Sequence, residues 1–271
     1  MICENCSHRC DLAEGQTGKC HARSNSGGKI VCGNYGAVTS LALDPIEKKP
    51  LAMFDPGSKI LSAGSYGCNM HCPWCQNDSI SRGVVRADIL TPEELIGYAL
   101  GTRSRGNIGI AYTYNEPSVG YEYVLDCAKL ARSHDLVNVM VTNGMLMRGR
   151  FDELAGYIDA YNIDLKTSSD KKYSSIGGDL LLICDNIRSA AARGCHVELT
   201  TLVVPGFNDD EDDFDGIVRF IESVDPLIPL HITRFFPAGD MKDASPTDID
   251  ILYAFKERAQ TKLENVFLGN V

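Results

Sequence analysis

The sequence lacks three features that would each have indicated a class of protein. It has no uninterrupted apolar run of the roughly 20 residues that a membrane-spanning helix needs. It has no excess of basic residues, because 26 Lys and Arg face 36 Asp and Glu, and the formal net charge of −10 disfavours binding to nucleic acid phosphates or anionic lipid. No internal repeat or low-complexity tract is evident in the 271 residues. We therefore expect a globular chain without nucleic acid or membrane partners.

The N-terminal residues, MICENCSHRC, also lack the basic patch and apolar run of a secretory signal. We therefore expect a cytoplasmic protein, whose eleven cysteines bind metal rather than form disulfides. Five of them fall within residues 1–32 and three within residues 68–75. The scattered Cys127, Cys184 and Cys195 are expected to be ordinary buried side chains.

Three segments differ in their apolar pattern. Residues 1–33 are rich in Cys, Gly, Ser and Asn and show no core-building period, which predicts a small Cys-rich metal-binding segment. Residues 34–58 are punctuated by Pro and Gly and predict a connector packed on the main domain. In residues 59–271 strand-like runs alternate with amphipathic helical patterns. That alternation predicts an α/β domain with a parallel sheet, either open and doubly wound or a full or partial barrel.

The candidate strands are short apolar runs at residues 59–65, 108–114, 138–142, 160–165, 197–204, 229–236 and, more weakly, 266–268. Helical patterns begin after Leu90 and cover residues 119–134, 179–194, 211–224 and 247–262. Thr91 and Glu94 form a capping box around Pro92 at the start of the first helix.

Polar motifs follow four successive candidate strands. The three cysteines follow the first strand, NEP (115–117) the second, TNG (142–144) the third and DLK (164–166) the fourth. The carboxyl ends of parallel strands meet at one edge of a sheet or barrel, where active sites are built. The four motifs therefore predict one shared site.

Cys68, Cys72 and Cys75 stand in C-x3-C-x2-C spacing. Three thiolates bind three irons of a [4Fe–4S] cluster, and without a fourth nearby cysteine one iron keeps open positions for a ligand. The alternative is a zinc site completed by His71 or a more distant residue, because structural zinc takes four ligands.

This motif, with Trp74 as the aromatic residue before the last cysteine, resembles the signature of the radical S-adenosylmethionine (SAM) superfamily. The resemblance implies a partial (β/α)6 TIM-like barrel over residues 59–271. It also implies an anaerobic oxidoreductase whose [4Fe–4S] cluster binds SAM and cleaves it reductively to a 5′-deoxyadenosyl radical. That radical would abstract hydrogen from a substrate that the sequence does not identify.

Further motifs resemble the branch related to pyruvate formate-lyase activating enzyme. They are DPIEKKPL (44–51), YTYNEPS (112–118), VTNG (141–144), NIDLK (162–166) and LVVPGFND (202–209). The Cys-rich N-terminus together with DPIEKKPL is most similar to the radical SAM enzyme of the AmmeMemoRadiSam system. This resemblance implies a ferredoxin or flavodoxin as electron donor.

The resemblance also implies cofactor-binding residues. Tyr114, Asn115 and Glu116 lie where the family has Gly-Gly-Glu, so Glu116 would accept from the methionine ammonium of SAM. The other implied contacts are Trp74 at the adenine and, at the carboxylate end of SAM and partly through a monovalent cation, Thr142, Asp164 and Lys166.

Three departures from the activating enzymes bear on the activity. Val141 and Thr200 stand where the activating enzymes place Asp and Arg, and the segment 234–240 lacks an expected His. These differences leave undecided whether a cation site is present and whether the substrate is instead a glycine in a partner enzyme. A second alternative is a metal-binding or electron-carrier protein without catalytic activity.

The N-terminal cysteines form a separate set. Cys3, Cys6, Cys10 and Cys20 run C-x2-C-x3-C-x9-C in a segment with little apolar content. Four soft ligands indicate a structural Zn²⁺ or a second iron–sulfur cluster. The spacing does not choose between them.

Overall fold

The computed structural model describes residues 1–83 and 85–271. Its strands are β1 (Arg23–Ser26), β2 (Lys29–Cys32), β3 (Ala37–Val38), β4 (Ser40–Pro45), β5 (Lys59–Gly64), β6 (Asp88–Ile89), β7 (Asn107–Tyr112), β8 (Val137–Thr142), β9 (Ala160–Asp164), β10 (His196–Val203), β11 (Leu230–Arg234) and β12 (Val266–Gly269). Its α-helices are α1 (Asp78–Ser81), α2 (Pro92–Gly101), α3 (Tyr121–Ser133), α4 (Arg148–Ala155), α5 (Asp170–Ser175), α6 (Leu180–Ala192), α7 (Glu211–Val224) and α8 (Ile249–Ala259).

Eight of these strands form one sheet in the order β4-β5-β7-β8-β9-β10-β11-β12. β4 pairs antiparallel with β5, and every other pair is parallel. The seven parallel strands are those expected from the sequence. Six of them are followed by helices, which confirms the predicted α/β fold of a partial (β/α)6 barrel with one further strand. In the described part of the chain β4 and β12 do not pair with each other, so the sheet is open at this point.

The longer helices lie where their patterns predicted them. Thr91 and Glu94 form the expected capping box, with Pro92 in the first turn of α2. Asp210 caps α7 by accepting from the Asp213 amide, where acidic side chains also match the helix dipole. The short helices α4 and α5 were not predicted.

Alternate residues of the strands face two different cores. On β5, Leu61 and Ala63 lie in the large core between the sheet and its helices. Ile60, which directly precedes Leu61, points to the opposite face of the sheet. There it packs with Ile46 and Leu51 from the segment after β4. That segment therefore closes the amino-terminal end of the barrel interior.

Glu198, on β10, fixes this closing segment to the barrel. Its fully buried carboxylate accepts from the amides of Ala52 at 2.9 Å and Met53 at 2.8 Å. It also bonds to Nε2 of His196 at 2.8 Å and of His231 at 2.5 Å. Burial alone would raise the pKa of Glu198, but these four partners lower it to about 2. One ionised carboxylate thus joins β10, β11 and the closing segment.

The Cys-rich segment packs on the outside of the barrel, near the carboxyl ends of its first strands. β1 and β2 form an antiparallel hairpin. Arg23 is 2% exposed and makes a two-point ion pair with Glu122 on α3, at 2.6 Å. The division into residues 1–33, 34–58 and 59–271 stays a prediction. No helix among the described residues is both long enough and apolar enough to cross a membrane.

Replacing Glu198 by Ala should lower the free energy of unfolding at pH 7 by on the order of 3 kcal/mol, because four donors lose a buried acceptor. The folded-state pKa lies below the ordinary value of 4.5, so the carboxylate stabilises the fold above about pH 4.5 and loses that effect as the pH falls towards 2. Urea unfolding at several pH values measures both effects. Glu211→Gln, at a side chain that is 71% exposed, is the control, and equal stability of Glu198→Ala and the wild type would contradict this role.

Candidate active site

The three cysteines of the C-x3-C-x2-C motif lie on the loop that leaves β5. Gly67 precedes Cys68 with a φ of +91°, and a Cβ at this position would lie 2.5 Å from the carbonyl oxygen of Cys20, so only glycine fits. The Cys68 amide donates to that same oxygen at 3.2 Å. On the other side, Gly239 packs against the backbone of Cys75. The loop is therefore held between the N-terminal segment and the chain that follows β11.

Two N–H groups point at the sulfur atom of Cys68. The Met70 amide lies 3.4 Å from it and the side-chain amide of Asn143 lies 3.8 Å from it. Burial raises the pKa of the Cys68 and Cys72 thiols, so their thiolates need a further positive charge. A metal cluster supplies that charge, and metal ligation requires the thiolate form. The donor set therefore fits an iron–sulfur cluster.

The thiols are not drawn together as ligands in this structure. Across residues 1–83 and 85–271, no group of three or more His, Cys, Asp or Glu side chains is arranged so that it could hold a metal ion. The ligand roles of Cys68, Cys72 and Cys75 stay a prediction.

Glu116 is the buried carboxylate of this region, with 3% of its surface exposed. It accepts from the Ser118 amide at 2.9 Å, from the Thr142 hydroxyl at 2.6 Å and from the Asn143 amide at 2.7 Å. Burial nevertheless raises its pKa, although these three donors oppose the shift. A cation that binds beside Glu116 would oppose this shift and favour the carboxylate form, so Glu116 fits an ammonium ligand.

Asn143 joins this carboxylate to the cysteine loop. Its backbone amide binds Glu116, and its side-chain amide donates to Asn69 Oδ1 at 2.8 Å and to the sulfur of Cys68. Asn69 in turn donates to the Met145 carbonyl at 2.9 Å. The structure thus brings the predicted Cys68 and Glu116 together at one strand edge.

Asn115 and Tyr114 have different surroundings although they are neighbours. The Asn115 side chain accepts from the Ser65 amide at 2.9 Å and donates to the Gly67 carbonyl at 3.0 Å, which ties it to the cysteine loop. The Tyr114 side chain instead reaches Asp44, to which its hydroxyl donates at 2.9 Å. The structure therefore does not place the Tyr114 side chain beside Glu116.

Asp164 and Lys166 form an ion pair of 2.8 Å at the end of β9. Burial would lower the pKa of Lys166, but the charges of Asp164 and Cys72 outweigh it and hold the pKa above its ordinary value. Asp164 is 34% exposed and Lys166 14%. A carboxylate that is accessible beside a buried ammonium suits a polar ligand, and this pair lies on the Cys72 side of the loop.

Trp74 is buried with 6% of its surface exposed. Its ring lies 4.4 Å, centroid to centroid, from the ring of Phe207 in the loop after β10. The two rings form an apolar wall next to the cysteine loop. Such a wall excludes water from whatever binds there.

Sequence reasoning missed four residues that shape the site. Asn69, Asn143 and Phe207 stand inside motifs that were recognised, but their contacts join motifs that lie far apart in the chain. Tyr173, whose hydroxyl accepts from the Lys166 amide at 2.8 Å, carries no sequence signal, since it lies on the unpredicted helix α5.

The four N-terminal cysteines share one region of the segment, since the charges of Cys3, Cys10 and Cys20 act on Cys6. Burial raises the pKa of Cys6 to about 11, and the charges of Cys20, Cys10 and Cys3 contribute to the shift. The His8 amide donates to Cys6, which favours its thiolate. Two contacts join the N-terminal segment to the loop of the second cysteine group. The Cys68 amide donates to the Cys20 carbonyl at 3.2 Å, and Nε2 of His8 lies 2.7 Å from the Asn69 carbonyl oxygen.

Known proteins resemble this chain in sequence and in fold. The Radical SAM superfamily model matches residues 63–221. Uncharacterized protein MJ0808 of Methanocaldococcus jannaschii is 37% identical over 275 residues, which cover 99% of this chain and 81% of that protein. The pyruvate formate-lyase 1-activating enzyme of Escherichia coli K12 is 24% identical over 184 residues, 65% of this chain and 74% of that enzyme.

A solved radical SAM methyltransferase from Sphaerobacter thermophilus has the same fold. The two structures superpose with a TM-score of 0.63 at 16% sequence identity. The match covers 80% of this chain and 67% of the methyltransferase chain. The family model covers more than half of the chain and includes the cysteine loop and the strand ends that carry Glu116 and Asp164. This chain therefore belongs to the radical SAM superfamily, whose members are enzymes that use a [4Fe–4S] cluster and SAM.

Proposed function

We propose that Cys68, Cys72 and Cys75 would hold the [4Fe–4S] cluster and that the neighbouring strand ends would hold SAM beside it. When bound, the cluster supplies one electron that cleaves SAM to methionine and a 5′-deoxyadenosyl radical, which abstracts hydrogen from the substrate. The observation that carries this proposal is the buried Glu116, which Asn143 links to Cys68.

The residues around the cysteine loop divide the work of binding SAM. Glu116 accepts from the methionine ammonium, because a buried carboxylate with a raised pKa favours a cation. Thr142, Asp164 and Lys166 bind the carboxylate end, where a monovalent cation is an additional ligand of the acidic side chains. Trp74 supports the adenine through its backbone and, with Phe207, excludes water.

Replacing Cys68, Cys72 and Cys75 together by Ala should abolish 5′-deoxyadenosine formation while the barrel stays folded, because no thiolate then binds the cluster. The measurement is anaerobic reconstitution, iron and sulfide counting, and a 5′-deoxyadenosine assay with dithionite and SAM. Cys195→Ala, at a partly buried cysteine away from the loop, is the control. Cleavage of SAM by the triple variant would refute the mechanism.

Zinc counting in the same preparations identifies the N-terminal metal. We propose that Cys3, Cys6, Cys10 and Cys20 bind either a structural Zn²⁺ or a second iron–sulfur cluster. About four irons and one zinc per chain indicate the first, and about eight irons indicate the second.

Replacing Glu116 by Gln should weaken SAM binding by roughly 10- to 100-fold, because the amide keeps the shape but loses the charge that the ammonium needs. The dissociation constant of SAM, measured on the cluster-loaded protein, tests this. Glu93→Gln, on the exposed first turn of α2, should bind SAM as the wild type does. An unchanged constant for Glu116→Gln would remove this residue from the cofactor site.

The physiological reaction has two candidate substrates, a small molecule or a glycine of a partner enzyme. The similarity to the E. coli activating enzyme favours a protein substrate. Against it, Val141 and Thr200 replace the Asp and Arg of the activating enzymes, and β4 pairs along the edge of β5. We propose a small molecule, in a cytoplasmic enzyme of the AmmeMemoRadiSam type that takes electrons from ferredoxin or flavodoxin.

Electron-spin resonance separates the two. The enzyme, reduced and supplied with SAM, should leave no glycyl radical on pyruvate formate-lyase, because Val141 and Thr200 stand where the activating enzymes have Asp and Arg. The E. coli activating enzyme is the positive control. A glycyl signal of comparable yield would establish the activating function instead.

A further inference from the structure

Tyr114 adopts a backbone conformation that tyrosine rarely takes. Its φ is +73°, in the left-handed region that favours glycine, and the residue lies between the end of β7 and Glu116. A non-glycine residue stays in that region only when its surroundings hold it there, and such residues concentrate at functional sites. The contacts of Tyr114 therefore show which residues hold it in this strained conformation.

Three contacts hold the side chain of Tyr114 inside the barrel. Its hydroxyl donates to Asp44 Oδ2 at 2.9 Å, and the Lys49 ammonium lies 4.8 Å from the centre of its ring. The ring also lies over Gly64, where a Cβ would come within 2.7 Å of Tyr114 Cδ2. A fourth contact fixes its backbone, since the Asn77 side chain donates to the Tyr114 carbonyl at 2.8 Å.

Asp44 and Lys49 belong to the DPIEKKPL motif, to which the proposed function gives no role. Lys49 is 3% exposed and its ammonium donates to Asp44 Oδ2 at 2.9 Å. The same oxygen accepts from Ser62 on β5 at 3.0 Å. These donors and the Lys49 charge hold the pKa of Asp44 well below its ordinary value, although burial opposes them. Burial lowers the pKa of Lys49, and its hydrogen bond to Asp44 opposes that shift. The ion pair thus joins a buried lysine to an aspartate that is 13% exposed and is fixed to β5 through Ser62.

The turn at Tyr114 sends three consecutive side chains to three different elements. Tyr114 points into the barrel, Asn115 ties back to Gly67 in front of the cysteine loop, and Glu116 reaches Thr142 at the end of β8. An extended residue at position 114 would carry the chain onward in the direction of β7, so the left-handed conformation of Tyr114 sets the direction in which Asn115 and Glu116 leave the strand. The left-handed turn is what directs Glu116.

We propose that Asp44 and Lys49 are positioning residues for the cofactor carboxylate. Their ion pair holds the Tyr114 ring, the ring holds the left-handed turn, and the turn aims Glu116 at the ammonium of SAM. This inference rests on the proposed role of Glu116 and adds to it the function of the DPIEKKPL motif. We call Asp44, Lys49 and Tyr114 the tyrosine latch.

The neighbouring lysines supply a matched pair of variants for the test. Lys49→Met and Asp44→Asn should each raise the dissociation constant of SAM by about tenfold, the effect expected when a charge-assisted hydrogen bond is misaligned. Lys48→Met removes the same charge at a side chain that is 66% exposed and 3.5 Å from Asp44, and it should leave the constant unchanged. Iron content and thermal melting confirm that each variant is folded and loaded.

Tyr114→Gly tests whether SAM binding needs the Tyr114 ring or only the left-handed backbone at this position. Glycine adopts a positive φ without strain, so a site that needed only the turn would bind SAM at least as tightly. If the ring is what holds the turn, the glycine variant should bind SAM about tenfold more weakly, because the turn becomes one of many conformations.

A double variant tests whether the latch acts through Glu116. In a Glu116→Gln background, Asp44→Asn should cause little further loss of SAM affinity, whereas a general structural role would add its full effect. If wild type and Glu116→Gln bind SAM equally, the proposed role of Glu116 fails. If Glu116→Gln weakens binding but Asp44→Asn, Lys49→Met and Tyr114→Gly bind as the wild type does, only the latch is refuted.

Discussion

Glu116 places a carboxylate where water does not reach it, and the rest of the site depends on how that charge is satisfied. Its three donors come from its own loop, from the last residue of β8 and from the loop that follows β8. One of them, Asn143, extends the network to Asn69 and to the sulfur of Cys68. The donors do not cancel the effect of burial, which still raises the pKa of Glu116. A site that leaves a carboxylate short of positive charge is a site that selects a cation.

The closed end of the barrel also contains a buried carboxylate, but there the pKa is lowered and not raised. There Glu198 collects two backbone amides and two imidazoles, and its pKa falls to about 2. This carboxylate needs no ligand, so it contributes stability and no chemistry. The chain from the end of β4 to the start of β5 contacts both carboxyl environments. Asp44 on β4 and Lys49 after it hold Tyr114, and Ala52 and Met53 supply the amides for Glu198. One stretch of chain thus links the rigid end of the barrel to its reactive end.

The sequence allowed the seven parallel strands, the longer helices and the shared strand edge to be predicted, because each depends on periodicity or on local capping. The short helices α4 and α5 were missed, since six to eight residues carry too little periodic signal. The direction of the Tyr114 side chain was also beyond reach. It depends on Asp44, which is 70 residues away in the chain, and on the room left by Gly64. Contacts of that kind are set by tertiary packing.

The N-terminal segment raises a question of order during synthesis. Its Asn5 side chain bonds to the Ser118 carbonyl and to Arg150, and Arg23 pairs with Glu122. The ribosome synthesises roughly 5–20 residues per second, so these residues emerge several seconds before their partners. Until then a polar segment with four nearby thiols has no barrel on which to pack. If the proposed N-terminal metal ion bound early, it would shape the nascent segment in advance and would place the Cys20 carbonyl where the cysteine loop meets it on emerging.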